Sequence, residues 1–300
     1  MYSNHRSYAY DRMWSGPPSA LDSGFTVFTW NLLADKLAES GGFVKTPLDS
    51  LSWGSRMDAI IGQILSGEHS GHIPDVICLQ EVDHFADSLE PALDRAGYSG
   101  TFVPKAEGRD GCCVFWKRER FVLRWVRPLR YLNEQGADAT QVALLVALTD
   151  LLDDRALLVA TTHLKAKTGF EWQREHQAGQ LRKTLMDAAW QLGPGTGVVV
   201  GGDFNDVPWS PAYRAMLDDG QLSSAYAAAG QGEEAPWTTW KVRNSGEVRR
   251  TIDYLFFGPE KLRPAAVLSP PALALIDPNR LPSWRYPSDH LSLMAHFERK

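Results

Sequence analysis

A recurrent set of polar residues stands where apolar runs stop, and their types are those that phosphate and metal chemistry uses. "TWN" ends in Asn31, "ICLQE" in Glu81 and "VATTH" in His163. "VGGDFN" supplies Asp203 and Asn205, "RTIDY" supplies Asp253, and "YPSDH" supplies Asp289 and His290. Taken singly, each has an ordinary structural reading as a turn residue, a cap, a core histidine or an edge pair. Their repetition at one kind of position argues for a shared purpose, because rigid scaffolds display chemistry at loop ends. "GVVVGGDFNDVP" (197–208) is the sharpest case: it drives a buried-looking strand into acids, which is costly unless they are paired or metal-bound.

The types fit one reaction. A hard cation such as Mg²⁺ takes oxygen ligands and keeps several waters, so one or two carboxylates suffice. Glu81 is the expected direct ligand, with the amide oxygen of Asn31 beside it. Phosphoryl hydrolysis needs an activated water, stabilised phosphoryl oxygens and help for the leaving oxygen. Asp203 suits the acceptance of the water's proton and Asn205 its positioning. His163 and His290 suit donation to developing negative charge. Asp253 is the expected partner that favours the His290 imidazolium, while Asp289 is open between an outer contact to the metal and a brace for its neighbour.

The elements that must carry these groups are mostly strands. Runs rich in Val, Leu, Phe and Trp recur at 25–30, 75–82, 111–118, 121–126, 141–148, 155–164, 197–204, 251–257 and 290–297. Fewer helices intervene. Met57, Ile60, Ile61, Ile64 and Leu65 form a helical stripe, "SLEPALDRAG" ends at Gly97, and the segment from Gly169 is the longest. Ser210 and Pro211 start another as cap and first turn. Strands that follow one another without helices exclude a repeated βαβ chain. The expected class is α/β, two stacked mixed sheets flanked by helices in four layers. Residues 1–24 read as a flexible lead-in and 25–300 as one catalytic domain, with no linker or repeat.

Composition narrows the partners. The net charge of −5 argues against a general polyanion binder. Cys78, Cys112 and Cys113 have no metal-type spacing and favour a reducing compartment, with the adjacent pair read as core strand residues. No apolar run approaches the roughly 18 residues of a membrane span, and the N-terminus lacks a secretory core. The expected residence is cytoplasmic, or mitochondrial if a targeting segment has been truncated.

In this order, "WN", "LQE", "TH", "GDFN", "IDY" and "SDH" resemble the endonuclease/exonuclease/phosphatase superfamily across residues 30–290. "WNLLAD", "ICLQEVDHF", "THLKAKTG" and "PNRLPSWRYPSDHLSL" are similar to the branch related to the carbon-catabolite-repression deadenylases. The resemblance implies that Glu81 matches the metal ligand, and that Asn31, His163, Asp203, Asn205, Asp253 and His290 match the catalytic set. It also implies a basic substrate pocket of Lys105, Lys165, Lys167 and Arg243. Three positions depart from the pattern: Lys167 stands for Arg and loses the bidentate fork, Thr140 stands for Asn, and Phe170 stands for Trp. Lys117, Lys183, Arg249 and Arg250 read as surface or structural charges, and Pro282, Trp284 and Tyr286 as stiffening for the last loop.

The resemblance implies a Mg²⁺-dependent phosphatase that removes the 2′-phosphate from NADP⁺ and NADPH. The alternative is a 3′-exoribonuclease that shortens poly(A) on mRNA; a third reading is a non-catalytic scaffold. The small dinucleotide is favoured because no basic stripe with interleaved aromatics tracks a strand and no leucine-rich recruiting module is present. Protein partners are left open.

Overall fold

The computed structural model describes residues 10–16, 21, 23–65, 71–106, 108 and 110–300. Two six-stranded sheets carry the fold. In spatial order the first contains β13 (Leu262–Val267), β14 (Leu293–Arg299), β1 (Phe25–Asn31), β2 (Val76–Val82), β4 (Gly111–Lys117) and β3 (Tyr98–Pro104). The second contains β5 (Phe121–Leu132), β6 (Asp138–Asp150), β7 (Ala156–His163), β8 (Gly197–Asp203), β12 (Asp253–Phe257) and β9 (Ser223–Ser224). A separate hairpin joins β10 (Thr239–Arg243) to β11 (Gly246–Arg250). The helices are α1 (Asp35–Ser40), α2 (Trp53–Leu65), α3 (Glu90–Arg95), α4 (Glu171–Leu192), α5 (Pro211–Leu217) and α6 (Ala225–Ala229).

Alternation along the strands builds the layers. Val27, Val76, Cys78 and Val114 face Leu144, Val146, Val159, Val199 and Leu255 in one core between the sheets. The opposite faces pack against helices: Ile60 and Ile64 of α2 with Phe28, Ile77 and Leu79, and Leu181 and Leu185 of α4 with Leu145, Leu158 and Val200. This is the expected four-layer sandwich. Each sheet holds one parallel pair, β1 with β2 and β7 with β8. Parallel neighbours end at the same edge, so Asn31 and Glu81 emerge together from one sheet, as His163 and Asp203 do from the other.

The sheets lie close at that edge, which explains Gly201, while a Cβ on Gly202 would lie 2.4 Å from the Thr162 carbonyl oxygen of the neighbouring strand. A Cβ on Gly201 would lie 2.7 Å from Thr29 Cβ and 2.9 Å from its Oγ1, across the sandwich. There the apolar core gives way to Gln80, whose amide donates to Thr29 Oγ1 (3.0 Å) and Thr161 Oγ1 (2.8 Å) and so links the two sheets. Gly201→Ala is expected to cost about 1–3 kcal/mol by overpacking, read as a lower urea midpoint with unchanged slope. A wild-type midpoint would show that the sheets are not held at this spacing.

Several expectations are corrected. The lead-in reading of 1–24 fails for residues 10–16: Tyr10 is buried and stacks on Tyr286, and Arg12 donates to the carbonyls of Leu268, Ser269 and Ser292. Residues 1–9, 17–20 and 22 lie outside the described residues. β5 and β6 extend well past 121–126 and 141–148, because each pairs the other along nearly its whole length. β3, β9, β13 and the β10–β11 hairpin are additional strands. β13 carries Pro264 at a register shift, where a missing N–H is tolerated. The last strand begins at Leu293 and not at 290.

Candidate active site

At the common edge the polar strand ends meet. Glu81 reaches the site because β2 breaks register between Leu79 and Val82, and Glu81 itself adopts φ +54°. Bulges of this kind re-aim a side chain at the cost of local strain. Its Oε2 accepts from the Ala34 N–H (3.0 Å), and its Oε1 accepts from Asn31 Nδ2 (3.1 Å). Asn31 also donates to Asp203 Oδ2 (2.9 Å), while its amide oxygen accepts from the Leu33 N–H (3.0 Å). The expectation that Asn31 offers that oxygen beside Glu81 is therefore corrected: it presents its NH₂ between two carboxylates, and its oxygen shapes the turn.

Asp203 and Asp253 stand opposite each other in the β8–β12 ladder. Burial and the Asp253 charge raise the Asp203 carboxyl to about 7, partly offset by His290. Asn205 follows at φ +53°, a left-handed position that asparagine tolerates. Its backbone N–H holds Asp203 Oδ1 (2.8 Å), and its side-chain amide donates to the Leu164 carbonyl (3.1 Å). Asn205 thus buttresses the base and the His163 loop.

The two histidines sit in opposite environments. His290 places Nδ1 at 3.0 and 3.1 Å from the Asp253 oxygens, the pairing anticipated above. Burial alone would lower its imidazolium, but Asp253 and Asp289 outweigh it and raise it to about 9. His163 is pushed well below the usual range by burial and by the Lys105 ammonium. Groups driven apart in this way divide acid and base duties.

The basic residues separate into those that reach the site and those that do not. Lys105 Nζ lies 3.1 Å from His163 Nδ1, and Arg243 reaches the centre through Asp289 Oδ2 (3.2 Å) while covering the Phe43 ring. Lys165 instead lies over the Phe170 ring at 4.8 Å, and Lys167 is exposed at φ +79°. Asp289 is a brace: Lys241 at 2.5 Å and Arg243 hold its carboxyl below the usual range against the effect of burial.

Several residues were not singled out from the sequence. Lys241 was detectable as the same-face neighbour of Arg243, two positions away on a strand. Thr238 Oγ1 donates to Asp253 Oδ2 (2.6 Å), and Ser288 Oγ ties the Asn31 carbonyl (2.6 Å) to the His290 loop. Two buried arginines pin the loops. Arg56 of α2 donates to the Leu32 and Pro287 carbonyls and to Asp35 Oδ1. Arg174 of α4 donates to Asp206 Oδ2 and to the Lys165 and Lys167 carbonyls. A charged residue on the core-facing stripe of each helix was the available signal.

The donor set suits a hard cation. Ligand atoms of Glu81, His163 and Asp203 lie within 4.8 Å of one another, all three residues being buried. The Asp203 carboxyl is raised first by burial and then by the Asp253 charge, a balance that a bound cation would offset. Glu81 would hold the ion, leaving Asp203 beside it to accept a proton. Beside the centre opens a cavity of about 800 Å³, lined in part by Asp35, Glu39, Asp83 and Asp110, a size that accommodates a small ligand.

Comparison with known proteins agrees with this geometry. The Endonuclease/Exonuclease/phosphatase family model matches residues 28–290. Human nocturnin is 39% identical over 286 residues, which cover 90% of this chain and 64% of that protein. The human nocturnin catalytic domain, solved with a bound sulfate anion, superposes with a TM-score of 0.77 at 32% identity, covering 96% of this chain and 97% of that one. The yeast (Saccharomyces cerevisiae) CCR4-Not complex 3′-5′-exoribonuclease subunit Ccr4 is 27% identical over 341 residues, 91% of this chain and 38% of that one. Matched along most of its length, with the family's polar strand ends gathered at one sheet edge, this chain belongs to the endonuclease/exonuclease/phosphatase family.

Proposed function

We propose that this protein is a Mg²⁺-dependent phosphatase that removes the 2′-phosphate from NADP⁺ and NADPH. The observation that carries the reading is the charge layout. Lys105, Lys241 and Arg243 crowd the buried centre, whereas in the adjoining cavity the acids Asp35, Glu39, Asp83 and Asp110 outnumber Lys36 and His84. Such a mouth suits one phosphate delivered on a small molecule and disfavours a long polyanion. The similarity to nocturnin, together with the 2′-phosphatase activity that the motif resemblance implies, supports it.

The chain's own groups supply the steps. Asp203, near neutrality in its affinity for a proton, accepts the proton of the attacking water, and Asn31 and the Asn205 N–H keep its carboxylate aimed. A catalytic pKa near the working pH is the favourable case for a base. His290, charged through Asp253, donates to developing negative charge. When bound, the divalent ion supplies charge neutralisation for the phosphoryl oxygens.

Pure protein is to be incubated with NADPH and, separately, with 3′-adenylated RNA, each with Mg²⁺ and with a chelator. Phosphate release from NADPH that needs Mg²⁺ is expected. RNA shortening without phosphate release would replace this reading with the exoribonuclease, and silence in both assays with a scaffold. Arg243→Ala is expected to raise the KM for NADPH about tenfold, the loss of one charge-assisted hydrogen bond, with little change in kcat. An unaltered KM would remove Arg243 from the pocket.

A further inference from the structure

We propose that Asp110, acting through the Lys105 ammonium, locks His163 as the neutral imidazole that carries its proton on Nε2 and points that N–H at the reacting phosphate. The proposal rests on the hydrolytic reading of the site and assigns Asp110 as a positioning residue within it. An ammonium has donors and no acceptor, so its 3.1 Å contact with His163 Nδ1 makes Nδ1 the acceptor. The ring proton is then on Nε2. That nitrogen lies 3.6 Å from Asp203 Oδ2 and 3.9 Å from Glu81 Oε1, too far for a direct hydrogen bond and turned into the space between the carboxylates.

Lys105 can hold this post only because Asp110 holds Lys105. Its Nζ donates to Asp110 Oδ2 at 2.5 Å, and both side chains are largely buried. A backbone bond from the Lys105 N–H to the Asp110 carbonyl (3.1 Å) closes the loop between β3 and β4 and sets the pair side by side. Without Asp110 the ammonium would be buried beside an imidazole with less to balance it, and burial disfavours an unpaired charge. His290 shows the contrast: its Nδ1 faces the acceptor Asp253 and carries the proton on that side. The two rings thus meet the substrate in different states because one is backed by an ammonium and the other by a carboxylate.

The test is a long-range ¹H–¹⁵N correlation spectrum of the full chain with Mg²⁺ present, His163 being assigned by its loss in His163→Gln. The expected wild-type pattern is protonated Nε2 and acceptor Nδ1. Lys105→Met is expected to release the ring into a tautomer mixture. Asp110→Asn is expected to shift the pattern partway and lower kcat about tenfold, as loss of a supporting contact typically does, with Asp110→Glu recovering part of it. An Nδ1–H or doubly protonated His163 in the wild type, or an Nε2–H pattern unchanged in Lys105→Met, would overturn the proposal. If Lys105→Met does not fold, the wild-type spectrum decides alone. The spectrum needs no substrate, so a failure of NADPH turnover would strike the functional reading and leave this one standing or falling independently.

Discussion

Asp203→Asn will lower kcat about 10³-fold, the scale of losing a general base, while flattening the acid side of the stability profile. In the folded chain the Asp203 carboxyl keeps its proton up to about pH 7, whereas in the unfolded chain it ionises near its ordinary 3.8. Between those values the unfolded state binds fewer protons, so stability falls as pH rises. The cause is burial first and Asp253 second. Melting temperatures in chelator across that range should decline in the wild type and decline less in the variant. Equal slopes would mean that Asp203 is not the strained carboxylate, and retained turnover would remove it as the base. A group that destabilises the fold where it is needed for chemistry is the expected trade at such sites.

Glu81→Gln is expected to abolish the rise in melting temperature that Mg²⁺ produces and to lower kcat/KM about 10³-fold, the several kcal/mol that a metal contributes to phosphoryl charge stabilisation. An ion that binds only the folded state stabilises it by mass action, so this arm reads metal binding without substrate. The substitution keeps the shape: the amide oxygen can still accept from the Ala34 N–H that now holds Oε2, while the NH₂ in place of Oε1 loses the bond from Asn31 Nδ2. The folded structure should persist without Mg²⁺. An unchanged Mg²⁺ response would transfer the ion to other ligands, Asp203 and Asp253 being next.

The polar strand ends show how far a linear reading carries. Asn31, Glu81, His163, Asp203, Asn205, Asp253 and His290 could be singled out because apolar alternation locates strands and a polar residue at their end is conspicuous. The same alternation located the inner faces of both sheets, as Val27, Val76, Val159 and Val199 show. The β10–β11 hairpin was not legible, since β11 is charged and largely exposed, where burial imposes no pattern, and β10, though largely buried, is only five residues long. Lys165 and Lys167 were legible as charges but not as to aim: the loop that carries them is held by Arg174 from another element.

By itself the sequence determined the layers, the strands and the chemical types gathered at their ends, because periodicity and residue chemistry are local properties. Only the tertiary structure decided that Asn31 turns its NH₂ inward, that a bulge swings Glu81 into the site, and that His163 leans on Lys105 while His290 leans on Asp253. Those outcomes depend on which group lies within about 3 Å of which, where hydrogen bonds form. That proximity is set by strands far apart in the chain.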